Sequence, residues 1–523
     1  MGTVPFTATV HAPEGLVCSA DHLASAAGAA LLRRGGSAID AAIGANAVLA
    51  VADPHLCGMG GDLFALVHDG DGPPAALNAA GRAGSGADLD RLRSEGHRVM
   101  PFRGDIRAVT VPGCVDGWCL LHERFGRLPL AEVLEAAIGY AQDGWPASVL
   151  LAFTAPSVAA VPDVDDWATR PVTDGQRLRR PRTATALRAI IERGRDGFYG
   201  GPFGAGLLAL GEGEFTPEDL DQRPDWVEPL GRRAWGHDLW TMPPSSQGYL
   251  VLAGAGVLDP LDLPDPDDPA WPHLLAEASR LVGLDRYDVL SDGASGDDLL
   301  TPERLQAARD QLDPDRRLDL PARPTTAGDT TVVTAVDGRR QGVTLIQSNA
   351  KDFGAHLVEP HTGTFLHNRG NGFRLEPAHA AAYGPGRRPP HTLSPAVVTS
   401  PTGGLRAVVG TMGGDSQPQI ILQLLARLLV AAQPAGPAMS APRFVLDREG
   451  STGFDLWDGP DLLLVEDHAS TAWVDGLGAR GHDVVRGSGF SAGFGHAQVI
   501  EVTADGLRGA ADPRALIGSA VGH

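Results

Sequence analysis

The residues best suited to covalent chemistry are two consecutive threonines, Thr330 and Thr331, which follow Asp329 where a polar loop changes into a β-branched run. A threonine hydroxyl is a weak nucleophile unless a base lies beside it. If the chain is cut before Thr330, the freed α-amino group can be that base, because its ordinary pKa of about 7.7–8.0 leaves a sizeable fraction neutral at working pH. Taken alone, the pattern is also typical of an ordinary strand start.

A glycine pair, Gly413–Gly414, is the second candidate. It lies in the segment GTMGGDSQPQ, between a predicted strand and a predicted helix. Consecutive glycine amides allow a substrate to approach closely and can offer two N–H donors to a developing oxyanion. A simple strand-to-helix turn would have the same composition, so this motif alone leaves both interpretations open.

Other catalytic patterns lack the residues or the context that they need. The segment GFSAG around Ser491 has the letters of a GxSxG nucleophile elbow, but a strand-like segment follows it where that elbow needs a helix. Lys351, the only lysine, precedes Asp352, so the sequence has no GK[ST] phosphate loop, and a Schiff-base enzyme would have to use Lys351. No HExxH, EF-hand or CxxC spacing occurs, so we expect neither a metal ion nor a cofactor.

The elements that must position these candidates alternate between helix and strand. Ser37 is expected to cap a helix, and Asp337–Gly338 to turn the chain between two strands. Stretches dense in Asp and Pro, at 259–272 and 313–329, predict surface loops, and the second of them lies directly before Thr330. Helices are predicted over 24–34, 38–51, 128–144 and 420–431, and strands over 63–67, 75–79, 330–336, 342–348, 396–399 and 405–410.

Composition limits the class of function. The chain has 523 residues, with 64 acidic and 43 basic side chains and a net charge of −21; this argues against nucleic-acid binding and against anionic membrane surfaces. The length indicates two to four domain-sized units or one large layered fold. Neither a signal sequence nor the roughly 20 apolar residues of a membrane span is visible, so we expect a cytoplasmic protein. The cysteines are expected to be buried thiols: Cys18, Cys57, Cys114 and Cys119.

Taken together, several segments resemble the γ-glutamyltransferase (glutathione hydrolase) family of N-terminal-nucleophile enzymes. They occur in order along most of the chain. The similar segments are HLASAAGAALLRRGGSAIDAAIGANAVLAVADPHLCGMGGD from position 22, VPGCVDGWCLLHERFGRLPL from 111, MPPSSQG from 242, DTTVVTAVD from 329, RPPHTLSPAVV from 388, GTMGGDSQPQ from 410 and GFGHAQVI from 493.

The resemblance implies a fold and a maturation step. The fold is a four-layer αββα sandwich of the α/β (α+β) class, the N-terminal-nucleophile hydrolase fold, made as one proenzyme. The chain is expected to cleave itself between Asp329 and Thr330. The products would be a large subunit, 1–329, whose pro-segment end lies at about 313–329, and a small subunit, 330–523, which stay associated.

By the same resemblance, Thr330 attacks an amide carbonyl with the help of its own amine. Thr331 helps to orient the nucleophile, and Gly413 and Gly414 hold the tetrahedral oxyanion. The acyl group then passes to water or to an acceptor amine. The implied partners are therefore a small acyl amide and the other processed subunit, with neither nucleic acid nor membrane.

The acyl-binding positions depart from the family's pattern. The family binds the γ-glutamyl α-carboxylate with an arginine and the α-amine with an acid. Here Ala80 occupies the position of the family's arginine, with Arg82 two residues further on. Gly372 occupies the position of the family's acidic residue, beside Asn371. A buried ammonium group without its counter-charge would cost on the order of 3–5 kcal/mol, which argues against strict γ-glutamyl specificity.

Two further columns differ as well. Ile346 and Ser348 replace a Thr and an Asn, and His391–Thr392 replaces a pair of serines. Because an arginine remains near the acyl site, an acidic acyl group without an amine fits better: glutaryl-like, oxalyl-like or oxamate-like. The predicted substrate-binding residues are Arg82, Ser348, Asn371, His391 and Thr392.

The sequence thus predicts a self-processing amidohydrolase or acyltransferase for amides of small carboxylated acyl groups. Three alternatives stay open at this point. One is a true γ-glutamyl transpeptidase or glutathione hydrolase, the second a homologue that cleaves a C–C bond in secondary metabolism, and the third an unprocessed scaffold that kept the fold and lost the chemistry.

Overall fold

Two seven-stranded antiparallel sheets form the centre of the molecule. The computed structural model describes residues 7–164, 167–320, 329–447 and 462–523, with Asp329 described by its backbone alone. The strands are β1 (Val10–Ala12), β2 (Leu16–Ser19), β3 (Asp62–His68), β4 (Ala75–Ala79), β5 (Trp145–Pro146), β6 (Arg177–Leu178), β7 (Asp225–Val227), β8 (Leu230–Ala234), β9 (His237–Thr241), β10 (Asp329–Val336), β11 (Gly342–Ala350), β12 (Val358–Glu359), β13 (Thr364–Phe365), β14 (Ala396–Thr399), β15 (Leu405–Thr411), β16 (Phe444–Asp447), β17 (Leu462–Glu466), β18 (Val484–Gly487), β19 (Ala497–Thr503), β20 (Gly506–Ala511) and β21 (Ser519–Gly522).

Helices cover the outer faces of both sheets. They are α1 (His22–Arg33), α2 (Ala38–Ala52), α3 (Leu89–Ser94), α4 (Cys114–Phe125), α5 (Leu130–Val133), α6 (Glu135–Asp143), α7 (Val149–Thr154), α8 (Pro181–Arg193), α9 (Arg195–Phe198), α10 (Pro202–Leu210), α11 (Pro217–Asp221), α12 (Tyr249–Leu258), α13 (Ala270–Gly283), α14 (Arg286–Val289), α15 (Pro302–Gln311), α16 (Gln417–Leu425), α17 (Ala435–Ser440) and α18 (Thr471–Ala479).

The strand order interleaves the two halves of the chain. One sheet runs β1-β20-β19-β15-β14-β9-β8 and the other β21-β2-β10-β11-β3-β4-β7. Each sheet therefore contains strands from both sides of the Asp329–Thr330 bond. Because neither half supplies a complete sheet, both are needed to bury the apolar faces.

Three apolar layers hold the sandwich together. Between the sheets, Phe64, Val332 and Ile346 of one sheet share a cluster with Val408 and Ile500 of the other. A second cluster joins α1 and α2 to the outer face of the β10–β11 sheet. A third packs α12, α13 and α16 against the opposite sheet. The expected four-layer αββα sandwich is therefore confirmed.

Local sequence rules explain several element boundaries. The predicted Ser37 cap is confirmed, because its hydroxyl accepts the Asp40 N–H and the Asp40 carboxylate accepts the Ser37 N–H. The single helix predicted over 128–144 is wrong: Leu134, at φ −92° and ψ −2°, separates α5 from α6. The helix expected from position 420 begins at Gln417, because a proline is well accommodated in the first turn.

The loop expected before Thr330 is described only as far as residue 320, so 321–328 of the predicted pro-segment lie outside the described residues. Its described part lies at the surface, as predicted, and is anchored by buried side chains. Glu277 accepts the Leu318 N–H at 2.9 Å, and Arg280 donates to the Leu318 carbonyl at 3.0 Å. No helix in the described parts of the chain has the length and apolar character of a membrane span. The cytoplasmic location stays a prediction.

Candidate active site

Thr330 is buried at the start of β10, between the neighbouring strands β2 and β11. The register with β11 shifts between Asp329 and Thr331, so Thr330 leaves the regular ladder at a bulge. Its Oγ1 lies 3.2 Å from the Ser348 Oγ, to which it donates. The Thr330 hydroxyl at this bulge thus contacts Ser348, which was predicted to bind substrate and not to contact the nucleophile.

Gln417, which sequence reasoning missed, also contacts the nucleophile. Its Nε2 donates to Thr330 Oγ1 at 3.5 Å, while its Oε1 accepts the Ser394 N–H at 3.0 Å. The Ser394 amide fixes which end of the side chain faces Thr330. The signal that could have revealed Gln417 is its place three residues after the glycine pair, at the start of a helix.

Thr331 is locked into the sheet rather than exposed to a substrate. Its Oγ1 donates to the Gln347 carbonyl at 3.4 Å, and its side chain lies against Cys57. Burial raises the pKa of the Cys57 thiol, so that cysteine stays protonated beside it. These contacts support the predicted role of Thr331 in orienting its neighbour.

The glycine pair lies between β15 and α16 with both residues in the left-handed half of backbone space, Gly413 at φ +142° and Gly414 at φ +54°. Among the described residues, neither backbone N–H donates to a protein acceptor, whereas the Gly413 carbonyl accepts from Ser416. Unpaired N–H groups ahead of a helix are suited to holding an anion. The geometry therefore supports the predicted oxyanion hole.

A buried network ties this loop to the next one. Gln247, in the MPPSSQG segment, donates through Nε2 to the Gly414 carbonyl at 2.9 Å and to the Thr392 carbonyl at 3.0 Å. Arg286 donates to Gln247 Oε1 and to Asp415 Oδ1, both at 2.8 Å. Gln247 thus joins the glycine-pair loop to the predicted His391–Thr392 segment through hydrogen bonds to both.

His391 and Thr392 belong to a buried ionic cluster that sequence reasoning did not anticipate. At its centre, Asp62 accepts from Arg369 Nε at 2.7 Å and from His391 Nε2 at 2.8 Å. Arg369 Nη1 donates to Thr392 Oγ1 at 3.1 Å. His367 lies 3.4 Å from Asp62 through Nδ1. Asp62 and Arg369, like Gln417, are candidate site residues that the sequence did not reveal.

The electrostatics of this cluster fix its protonation. Burial alone would raise the pKa of Asp62, but Arg369 and His391 more than offset it and hold that pKa well below its ordinary value. Burial, with the nearby Arg369 charge, lowers the pKa of His391 to about 4. His391 Nδ1 accepts the Leu393 N–H at 3.2 Å, so the neutral ring carries its proton on Nε2.

The structure leaves no space for an acidic side chain at position 372, where the family has its acidic residue. A Cβ added to Gly372 would lie 2.7 Å from the Pro390 carbonyl oxygen and 3.2 Å from the Pro389 Cβ. The neighbouring Asn371 is buried, and its Nδ2 has no hydrogen-bond partner among the described residues. Asn371 therefore has a free donor, whereas an acidic side chain at position 372 would require the backbone to shift.

Arg82 is placed apart from the other predicted site residues. It donates to the Gly386 carbonyl at 3.0 Å and to Asp225 at 3.1 Å, and lies 3.6 Å from Asp292. Arg388 Nε donates a hydrogen bond to the Ala80 carbonyl at 3.0 Å. Within the described parts of the chain, no contact joins Arg82 to the nucleophile or to Asp62, so its substrate role stays a prediction.

A metal-like cluster that was not predicted lies among the described residues: His273, Glu277 and His482 converge, with ligand atoms within 4.8 Å of one another. His273 Nδ1 lies 2.8 Å from His482 Nε2, and His273 Nε2 lies 2.8 Å from the Asp313 carbonyl. Glu277 pairs with Arg280 at 2.7 Å. In the described structure these groups therefore anchor the chain segment that begins at Asp313.

Comparison with known proteins shows which family the chain is similar to. A family model described as gamma-glutamyltranspeptidase matches residues 24–521. The oxamate amidohydrolase proenzyme of Klebsiella pneumoniae is 36% identical, covering 97% of this chain and 98% of that protein. A glutathione hydrolase-like proenzyme of Bacillus subtilis is 34% identical, covering 97% and 98%. The crystal structure of cephalosporin acylase from Bacillus halodurans superposes with a TM-score of 0.89 at 28% identity, covering 100% of this chain and 98% of that one.

Proposed function

The chain belongs to the gamma-glutamyltranspeptidase family and is an amidohydrolase of the N-terminal-nucleophile type, and we propose that Thr330 is its nucleophile, released by cleavage of the Asp329–Thr330 bond. The observation that carries the proposal is the placement of Thr330 Oγ1 at a strand bulge, within reach of Ser348 and Gln417. The amidohydrolase and acylase relatives do not favour the γ-glutamyl, C–C-cleaving or scaffold alternatives.

The chemistry follows from these positions. The free α-amine of Thr330 takes the hydroxyl proton as Oγ1 attacks the amide carbonyl. The Gly413 and Gly414 N–H groups stabilise the negative charge that develops on the carbonyl oxygen. The intermediate collapses to a Thr330 ester as the C–N bond breaks, and the proton passes to the leaving amine. Water then attacks the ester by the reverse sequence and releases the acid.

We further propose that the acyl group is small and carries a carboxylate but no α-amine. Gly372 lies against Pro390, so the counter-charge that a γ-glutamyl ammonium would require is missing at that position. The amidohydrolase relative that acts on oxamate is consistent with such a group. Oxalyl-like, oxamate-like and glutaryl-like amides are the candidates.

The two processed pieces, residues 1–329 and 330–523, are proposed to stay together as one enzyme. Both contribute strands to each of the central sheets, so separating them would expose the apolar faces on which the sandwich depends. An acceptor amine could take the place of water in the second half-reaction, which would make the same site an acyltransferase.

Activity of nucleophile variants tests the proposal. Wild-type protein, Thr330→Ser and Thr330→Ala are assayed with oxamate, a glutaryl anilide and a γ-glutamyl anilide, by release of ammonia or of the aniline. We expect turnover of a carboxylated substrate by the wild type and by Thr330→Ser, and none by Thr330→Ala. Turnover by Thr330→Ala would reject the nucleophile, and a preference for the γ-glutamyl anilide would reject the acyl assignment.

A further inference from the structure

We propose that Arg369, held in place by Asp62, binds the carboxylate of the acyl group and so selects monoamides of short dicarboxylic acids that lack an α-amine. The inference rests on the proposed function and names the residue that gives it specificity. It assigns to position 369 the role that the sequence analysis sought at Arg82.

Arg369 is buried and has more N–H donors than its protein partners accept. A guanidinium group has five N–H bonds. Asp62 takes the Nε donor at 2.7 Å and one Nη2 donor at 3.5 Å, and Thr392 takes one Nη1 donor at 3.1 Å. One N–H on each terminal nitrogen then has no partner among the described residues, although the side chain is only 2% exposed. A buried donor without a partner is costly, so these two N–H groups favour a bound ligand.

The remaining donors of Arg369 suit a carboxylate. Asp62 takes the Nε and Nη2 donors on one edge of the guanidinium and Thr392 takes one Nη1 donor, so one N–H is left on each terminal nitrogen. Donors on the planar guanidinium fork match the two oxygens of a carboxylate. Because Thr392 Oγ1 accepts from Nη1, its own hydroxyl proton is available as a third donor. The buried Asn371 Nδ2, two residues from Arg369, is a further unpaired donor among the described residues.

The same surroundings discriminate against an amine. The carboxylate of Asp62 already accepts from both Arg369 and His391, and position 372 cannot hold an acid without moving the Pro390 backbone. An ammonium group would therefore lie beside the Arg369 cation without a carboxylate of its own. Repulsion between like charges in a buried site makes that arrangement unfavourable.

The register of the sheet brings this site next to the nucleophile. Asp62 on β3 lies directly opposite Ser348 on β11. Opposed side chains share one face of a sheet, with Cβ atoms about 4.5–5.5 Å apart. Ser348 in turn contacts Thr330 Oγ1 at 3.2 Å. One strand, β11, thus lies between Asp62 with its bound guanidinium and the strand that carries the reacting oxygen, and we infer that a short acyl chain bridges the two groups.

The test compares carboxylated with neutral amides. Wild-type enzyme and Arg369→Gln are assayed with the monoamides of oxalic, malonic, succinic and glutaric acids, and with acetamide and butyramide. We expect the wild type to favour at least one monoamide strongly. Arg369→Gln should lose about 10²-fold in kcat/KM for that monoamide relative to the neutral amides, since two charge-assisted hydrogen bonds to the substrate are removed. Because the substitution also leaves the buried Asp62 without its ion-pair partner, the readout is the ratio of carboxylated to neutral turnover and not the absolute rate.

Matched variants make the result decisive. Arg369→Lys keeps the positive charge beside Asp62 but lacks the planar guanidinium, so it should also lose most of the preference for carboxylated over neutral amides. If Arg369→Gln does not fold, Arg369→Lys serves as the test variant. Arg443→Gln removes another buried arginine, one that pairs with Asp512, and should leave the ratio of carboxylated to neutral turnover unchanged. Inhibition of the wild type by free malonate or succinate needs no variant, and should be stronger than inhibition by the corresponding neutral diamides.

Three results would overturn the inference. The first is a wild type that hydrolyses neutral amides or a γ-glutamyl amide as well as the dicarboxylic monoamides. The second is an unchanged preference in the Arg369 variants, and the third is a loss of preference in Arg82→Gln instead. Failure of the proposed function is distinguishable, because it would appear as Thr330→Ala retaining full turnover whatever the state of Arg369.

Discussion

Replacing Gly413 by alanine should lower the kcat of the processed enzyme by about 10²- to 10³-fold and leave KM nearly unchanged. Gly413 has a φ of +142°, which L-residues rarely adopt, and an added Cβ would lie 2.8 Å from Ser416 Oγ and 3.1 Å from Ile420 Cδ1. Holding alanine in that conformation costs about 1–3 kcal/mol. Relief of the strain rotates the backbone, and the rotation turns the N–H away from the oxyanion.

The magnitude follows from the role of that N–H. Loss of one oxyanion donor costs about 2.7–4 kcal/mol in the transition state, and each 1.36 kcal/mol is about tenfold in rate. Because the donor acts on a charge that exists only in the transition state, kcat falls while substrate binding is retained. Steady-state kinetics on a dicarboxylic monoamide, with a melting curve to confirm folding, measure the effect.

Two companion variants separate steric clash from lost alignment. Ser416→Ala removes the hydroxyl that donates to the Gly413 carbonyl and leaves the Gly413 N–H in place. Its kcat should therefore fall by less than about tenfold, the scale of a single hydrogen bond. The double variant should remain as slow as Gly413→Ala. Recovery of activity in the double variant, or a folded Gly413→Ala within about tenfold of the wild type, would refute the reasoning.

Three further predictions concern the nucleophile's neighbour, the acidic column and acid stability. Gln417→Leu removes the donor to Thr330 Oγ1 and leaves the Ser394 N–H unpaired, so kcat should fall about tenfold or more; an unchanged kcat would contradict the assigned contact. Gly372→Asp should cost about 1–3 kcal/mol in stability through overpacking against Pro390 and should yield no γ-glutamyl hydrolysis, so a gain of that activity without destabilisation would be contrary to expectation. His391 has a folded pKa of about 4 and an unfolded pKa of about 6.5; between these values the unfolded chain binds the extra proton, so the free energy of unfolding should rise by about 3 kcal/mol from pH 4 to pH 6.5. Urea titrations across that range should show a smaller rise for His391→Asn, and an equal rise in both proteins would exclude the histidine as the cause.

Local rules account for the parts of the structure that the sequence predicted well. The junction at Thr330 was predicted from a polar loop followed by β-branched residues, and β10 begins at Asp329. The turn at Asp337–Gly338 and the returning strand follow the same hairpin logic, since β11 starts at Gly342. In each case the signal lies within a few residues of the feature that it predicts.

The ionic cluster could not be predicted in this way. Asp62 and Arg369 are 307 residues apart in sequence and meet only because the sheet places β3 beside β11. No spacing rule connects two residues at that separation. The resemblance indicated Gly372 and Arg82 instead. In the structure the Pro390 backbone leaves no space for a side chain at position 372, and Arg82 forms an ion pair with Asp225. The replaced family positions therefore predicted a change of specificity, without indicating which residue would bind the acyl carboxylate in place of the family's arginine.

The most direct measurement is the identity of the new chain end after maturation. Purified wild-type protein is incubated, separated under denaturing conditions, and the smaller fragment is analysed by N-terminal sequencing and intact mass, beside Thr330→Ala. The account predicts a fragment that begins Thr-Thr-Val-Val and spans residues 330–523, with the alanine variant remaining full length. A fragment that begins at another residue, or an active wild type that stays uncleaved, would contradict it.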